Sequence, residues 1–387
     1  MRNIVAICLI IASYYFVYYL FLGFVNPIPA PGDSWDYHIP ISKAILDGSF
    51  LHPNTHLLSK QYFPGSSEAI NSIFLLFHIP LTVSNLFAIL VLAICCYKLA
   101  LTFHLKRDYA LLFALTFVTL NAVVRWMNAV SIDIWIAIYF ILLIILLEKP
   151  KKNILYFIQL GFLSGMLIGS KYNAVVYLIV LSIFYIRSLM PFIRIGRIIA
   201  FLIPFSLFGL FWYIRNYLYL HNPVYPIPIF GLPGEDIFGS YTMWNVGLKH
   251  PLEMVNAFYG EYKFWILSVF IAFGVLIRQF VIKKDFHITP TTKLFLIGSI
   301  NFLLFLGFPT SEQTWIMVSS FRYSLPTFIP LILGVFLLFE KYKKEELLGY
   351  IAVASMINVL SMIYYPKLLI IYLPLALIIM YYFSKKK

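Results

Sequence analysis

The chain has 387 residues, 61% of them hydrophobic and only 12% charged, where a soluble domain carries about 25%. With a mean hydropathy of +0.87, a soluble globular protein is excluded. The formal charge of +13, from 29 Lys and Arg against 16 Asp and Glu, invites a nucleic-acid partner. The basic residues instead gather in short loops between apolar runs, where membrane topology accounts for them and no nucleic acid is required.

Apolar runs of about 18 residues or more recur along the chain, each long enough to cross a bilayer as a helix. They are continuous rather than alternating, which excludes a barrel. The expected fold is all-α and polytopic, one membrane domain over residues 1–387 with about 12 spans. These fall near 4–25, 81–103, 109–126, 131–147, 154–170, 174–190, 197–214, 264–282, 294–308, 323–340, 347–364 and 367–384. The first run is too long for a signal-peptide core and reads as an uncleaved span. The piece 69–79 is too short to cross and reads as an interfacial or re-entrant helix. Cys8, Cys95 and Cys96 all lie inside apolar runs and imply neither a disulfide framework nor a metal site.

Short loops bearing Lys106 and Arg107, Lys149 to Lys152, Arg187 to Arg197, Lys283 to Lys293, Lys341 to Lys344 and the terminal Lys385 to Lys387 mark one side as cytoplasmic. Both termini then lie in the cytoplasm of a plasma or inner-membrane protein. Two long loops, 26–68 and 215–263, face outward, with Asp33, Asp36, Asp47, Glu68, Asp133, Glu235, Asp236, Glu253, Glu261 and Glu312 on that side. An acid-rich, aromatic-rich outer face suits carbohydrate; an interfacial aromatic belt is the plainer reading of many of these rings.

Candidate chemistry follows the same side. The first loop opens GDSWDYHIP, where Asp33 and Asp36 share a helix face at i, i+3. Two close carboxylates suit a general base or a metal pair; equally, Asp33 caps the helix expected over 34–47. His38, His52 and His56 follow at spacings that fit no strong metal signature, so Asp33, Asp36 and His38 are only a candidate site for a divalent cation such as Mg or Mn. Asp133 opens the fourth run, where an acid is costly and so either functional or set against the helix dipole. Lys171, in GSKYN, either snorkels to the interface or meets a phosphate. Arg215, before HNPVYP with Asn222, and Arg322, in FRYSLP with Tyr323, either anchor at the interface or hold a phosphate bidentately.

Taken in order, Asp33-x-x-x-Tyr37-His38, the YFPGSSE turn, SID with Asp133, GSKYN with Lys171, RNYLYLHNPVYP with Arg215 and Asn222, and FRYSLP with Arg322 and Tyr323 resemble the integral-membrane glycosyltransferases of the GT-C fold. The branch akin to family 39, the protein O-mannosyltransferase and aminoarabinose-transferase relatives, is the most similar. The resemblance implies transfer of a sugar, with inversion, from a polyprenyl-phosphate donor to a glycan, lipid or protein hydroxyl at the outer face. It implies Asp33 as catalytic base with Asp36 beside it. Tyr37, His38, Asp133, Lys171, Arg215, Asn222, Arg322 and Tyr323 become substrate-binding residues, and membrane lipids the surroundings. Many relatives carry adjacent Asp-Glu where this chain has Asp36 three residues after Asp33. The alternatives are a lipid-linked polysaccharide polymerase or ligase, working through loop arginines, and a transporter, which needs charges at the midplane of its spans.

Overall fold

The computed structural model describes residues 2–29, 32–52, 59–127, 129–228, 231–235, 241–283, 288–310 and 318–360. Among these every regular element is helical, apart from one isolated bridge between Thr242 and Pro309. α1 (Arg2–Val25) leads into the first long loop. There a π-helical turn, Ser34–His38, runs directly into α2 (Ile39–Asp47), which Gly48 stops in the left-handed region at φ 80. The helix expected from 34 to 47 is therefore present. α3 (Glu68–Leu76) covers the piece expected at the interface and leaves Ile73, Leu76 and Phe77 exposed.

α4 (Ser84–Thr102) and α5 (Arg107–Val118) form an antiparallel pair, and α4 also packs on α7 (Asp133–Leu147). The run expected to span 109–126 is broken. The Thr119 hydroxyl donates back to the Leu115 carbonyl at 2.8 Å, and Leu120 is extended before the short helix α6 (Asn121–Val124). Such side-chain back-bonding competes with the helical ladder and favours a break.

α8 (Ile154–Ile168), α9 (Ala174–Leu189) and α10 (Ile195–Phe205) follow. Pro204, inside α10, cannot donate to the ladder, and the chain passes through a π-helical turn, Ser206–Leu210, into α11 (Phe211–Leu220). Together these run 26 residues, so Arg215 lies in the last turns of a helix rather than at the start of a loop. α8 meets this rod along Gly161, Gly165 and Gly169. A Cβ at Gly161 would lie 2.1 Å from the Phe201 carbonyl oxygen, and one at Gly169 would lie 1.9 Å from that of Phe208. Small residues four apart let two membrane helices approach backbone to backbone.

The second long loop holds α12 (Met243–Lys249) and α13 (Pro251–Tyr262), and α14 (Trp265–Lys283) leaves α13 at an angle of 100°. α13 therefore runs across the axis of α14. It turns Leu252, Val255 and Tyr259 outward and buries Met254, Ala257 and Glu261. α15 (Pro290–Leu306) pairs with α16 (Leu325–Lys341), and α17 (Glu345–Leu360) packs on α1. α7 and α16 form the centre of the bundle, with all but two residues of α7 buried. α9 and the α10–α11 rod stand at the edge and expose Ile179, Ile183, Leu202, Ile203 and Leu207. Apolar side chains facing outward over that length mark the surface of a membrane-embedded protein.

Five described helices are long and apolar enough to cross a membrane, six if α13 and α14 are one broken span. That is fewer than the twelve expected. At about 1.5 Å per residue, α7, α8 and α15 fall short of a hydrocarbon core roughly 30 Å thick. The last expected span, 367–384, and the end of the one before it lie outside the described residues.

Candidate active site at one end of the bundle

Four residues from four distant segments meet where the π-helical turn abuts the bundle. Arg322 comes just before α16, and its Nη2 pairs with Asp33 Oδ2. Its Nε lies 3.1 Å from Asp133 Oδ2 at the start of α7. Lys171, in the tight turn between α8 and α9, reaches Asp133 Oδ1 at 3.0 Å. Ser131 donates to Asp133 Oδ2 at 2.8 Å. Asp133 thus stands at a helix N-terminus, where a carboxylate is favoured, and also bridges two cations. Arg322 is 6% exposed and Asp133 3%, whereas Asp33 is 31% exposed, so Asp33 is the carboxylate within reach of solvent.

Asp33 does not cap the helix that follows it. It takes the cap position in a helical conformation, and its side chain accepts no cap hydrogen bond; Arg322 holds the carboxylate instead. Burial pushes this carboxyl up, but the Arg322 guanidinium, with His38 and Lys171 behind it, outweighs burial and holds it below the ordinary carboxylate range.

Aromatic rings wall the cluster. Lys171 Nζ sits 3.9 Å from the centre of the Tyr323 ring, and the Tyr323 hydroxyl accepts from Arg322 Nη2 at 3.0 Å. The Arg322 guanidinium lies 4.6 Å from the Trp126 ring. Tyr37 is buried, lies tilted against the His38 ring at 4.1 Å and meets Phe63 edge-on at 5.4 Å. Burial, and then the Asp33 charge, push its phenol well above the ordinary value, so Tyr37 stays a neutral hydroxyl.

The remaining expected residues lie apart. Asp36 is half-buried on the same turn, but the ion pair with Arg322 forms at Asp33. His38 is fully buried and turns Nδ1 to Glu68 Oε1 at 2.9 Å. Asp33, Asp36 and His38 therefore do not make a cation site: Asp33 faces a guanidinium, His38 faces a carboxylate, and two cations already stand at the cluster. No group of three metal-ligating side chains occurs among the described residues, and His56 lies outside them. His52, from the same loop, meets the Tyr219 hydroxyl at 2.7 Å.

Arg215 stacks on Trp212 at 4.8 Å, pairs with Asn216 and donates to the Tyr62 carbonyl at 2.8 Å. It lines a separate cavity of about 150 Å³ with Lys43, Asp47 and Gln61, none of them in the cluster. Asn222 is buried and ties its own turn, donating to the carbonyls of Ile227 and Pro233 at 2.8 Å and accepting from the Val224 amide at 3.0 Å. Arg215 ties α11 to the first loop and Asn222 ties its own turn in the second, and among the described residues neither contacts the Asp33 cluster. The YFPGSSE turn is wedged in place: Trp212 Nε1 donates to Ser66 Oγ at 2.6 Å, and the Ser66 amide donates to the Gly169 carbonyl at 2.8 Å.

A second charged group adjoins the first and did not stand out in the sequence. Arg125 lies 4.9 Å from the same Trp126 ring and pairs with Glu261 Oε1 at 3.0 Å. Asn121 donates to that oxygen at 3.2 Å, and the Val318 carbonyl accepts from Arg125 Nη2 at 2.6 Å. Glu261 Oε2, Arg125 Nε and Trp126 Nε1 are buried without hydrogen-bond partners among the described residues. Burial pushes the Glu261 carboxyl up to about 7, against the pull of Arg125, Asn121 and Lys263. The only hint in the sequence was an Arg-Trp pair at the end of an apolar run.

No family model, curated protein or solved structure matches the chain, so the function rests on this geometry.

Proposed function

We propose that the protein is a membrane glycosyltransferase of GT-C type that moves a sugar, with inversion, from a polyprenyl-phosphate donor to an acceptor hydroxyl at the outer membrane face. The observation that carries this reading is the convergence of Asp33, Asp133, Lys171 and Arg322 at one end of the bundle. Such a set offers a carboxylate open to solvent beside two cations fixed by a second carboxylate. The Asp33 carboxylate accepts the proton of the acceptor hydroxyl as its oxygen attacks the anomeric carbon. The bond to the phosphate oxygen breaks, and the phosphate leaves as an anion that Arg322 and Lys171 stabilise. Asp133 positions both cations. Before substrate binds, Asp33 is paired to Arg322; a phosphate taking up that guanidinium frees Asp33 and restores its basicity.

An apolar cavity of about 440 Å³ between α9 and the α10–α11 rod supports a prenyl tail. It is lined by Ile168, Val175, Leu178, Phe205 and Tyr213 among others, and Ile168 is three residues from Lys171. Charges gathered at the end of the bundle, rather than midway along the spans, disfavour a transporter.

The test is incubation of the protein in liposomes with a panel of polyprenyl-phosphate sugars and glycan, lipid and peptide acceptors, scoring donor consumption. One donor should be consumed, and Asp33→Asn should slow its turnover by about 10²–10⁴ while the donor still binds. Full activity of Asp33→Asn removes the base assignment, and a panel left untouched removes the transferase.

A further inference from the structure

The Arg125–Glu261 pair has no part in the chemistry above, yet it shares the Trp126 ring with Arg322. The two carboxylates that face Lys171 and Arg322 are well partnered: Asp133 meets both cations and Ser131, and Asp33 meets Arg322. Glu261 is different. It is 1% exposed, its Oε1 serves Arg125 and Asn121, and its Oε2 is buried with no partner among the described residues. A buried carboxylate with one oxygen unmet has lost hydration without replacing it, so its protonated form is the cheaper one to keep. Among the described residues the charged and titratable groups facing it are Arg125 after α6 and Lys263 and Tyr262 at the end of α13, with Arg322 acting on Arg125 beside the same Trp126 ring.

We propose that Arg125 is a third phosphate-binding cation of the site, held in reserve by Glu261 and released when Glu261 takes up a proton. The proton comes from solvent to Glu261 Oε2. The salt bridge becomes a contact between a cation and a neutral acid, and Arg125 turns its now unbalanced charge toward the anion that has reached Arg322 and Lys171. Binding of a lipid phosphodiester is then linked to uptake of one proton. This inference rests on the phosphate-donor reading and adds to it the regulation of that site. The shift of Glu261 toward neutrality places the transition near physiological pH.

The test uses a polyprenyl methyl phosphodiester, which carries one fixed negative charge across the range, with the full-length protein in phosphatidylcholine nanodiscs. Affinity is measured from pH 5.5 to 8.5 by calorimetry in two buffers of different ionisation enthalpy. Wild-type affinity should fall about tenfold per unit above pH 7, with close to one proton taken up per ligand at pH 8. Glu261→Gln should bind as tightly at pH 8.5 as wild type does at pH 6, with no proton uptake. Arg125→Gln should weaken binding at pH 6 about tenfold and flatten the profile. A wild-type profile that is flat without proton uptake, or a Glu261→Gln protein that keeps the wild-type slope, overturns this proposal alone. Absence of binding at every pH overturns the phosphate-donor reading and this one with it.

Discussion

At the scale of the residue, the central fact is what Asp33 touches. A carboxylate just before a helix reads equally well as cap or as base, because both need an acid at that position. The structure separates them, since the carboxylate leaves the helix end free and crosses to Arg322. Its lowered pKa has a signed consequence. Stability from the Asp33–Arg322 pair is present above the unfolded-state value, about 3.9, and is lost as pH falls through the lower folded-state value. Wild type should therefore lose melting temperature below about pH 4 more steeply than Asp33→Asn, which differential scanning fluorimetry in detergent can read. Asp133→Asn takes the carboxylate from buried Arg322 and half-buried Lys171 and should cost about 3–5 kcal/mol in denaturant unfolding. Asp33, Asp133, Lys171 and Arg322 were legible in the sequence because each charge stands at the edge of an apolar run, where it is expensive unless used. Arg215 carried the same local signal, yet it and Asn222 lie outside that cluster, since an arginine at a helix end reads alike whether it stacks on Trp212 or faces a ligand. Glu261 was one acid among ten; only the packing of α13 shows which of its faces is buried.

At the scale of the element, the apolar runs announced helices, and their interruptions were harder to read. The break at Thr119 depends on a hydroxyl choosing the backbone over solvent, and the π-helical turn after Pro204 depends on how α8 receives the bend. The contact of α8 with the α10–α11 rod is made without side chains on one face. Gly165→Leu should therefore force the two helices apart. We expect at least 1–3 kcal/mol of destabilisation, typical of overpacking, measured by thermal unfolding in detergent. Substitution at Gly196, where a Cβ meets nothing within 4 Å, serves as the control and should change little. Trp212→Phe removes one hydrogen bond to Ser66 and should cost about 1 kcal/mol while loosening the YFPGSSE turn; protease nicking near residues 62–67 reports the loosening.

At the scale of the molecule, the described residues form an all-helical, membrane-embedded bundle whose central helices are buried and whose rim is apolar. Orientation is a separate matter, carried by the charge of the short loops. Trp35, half exposed beside the site, supplies the check. A cysteine placed at Trp35, in a background with Cys8, Cys95 and Cys96 replaced by alanine, should react with an impermeant maleimide added outside intact cells. A cysteine placed at Lys151 should react only after lysis. The reverse pattern would place the cluster in the cytoplasm.

The bridge between Arg322 and Asp33 joins residues 289 positions apart, and that separation fixes an order of events during biosynthesis. Made at about 5–20 residues per second, the chain contains Asp33 roughly 15–60 seconds before Arg322 exists. Lys171 arrives early enough to shield Asp133, but Asp33 waits for its partner until the tenth of the apolar runs has been delivered. A chain halted before Arg322 therefore lacks the partner that holds the Asp33 carboxylate. The pair thus closes late in synthesis, with only the last expected runs still to be made.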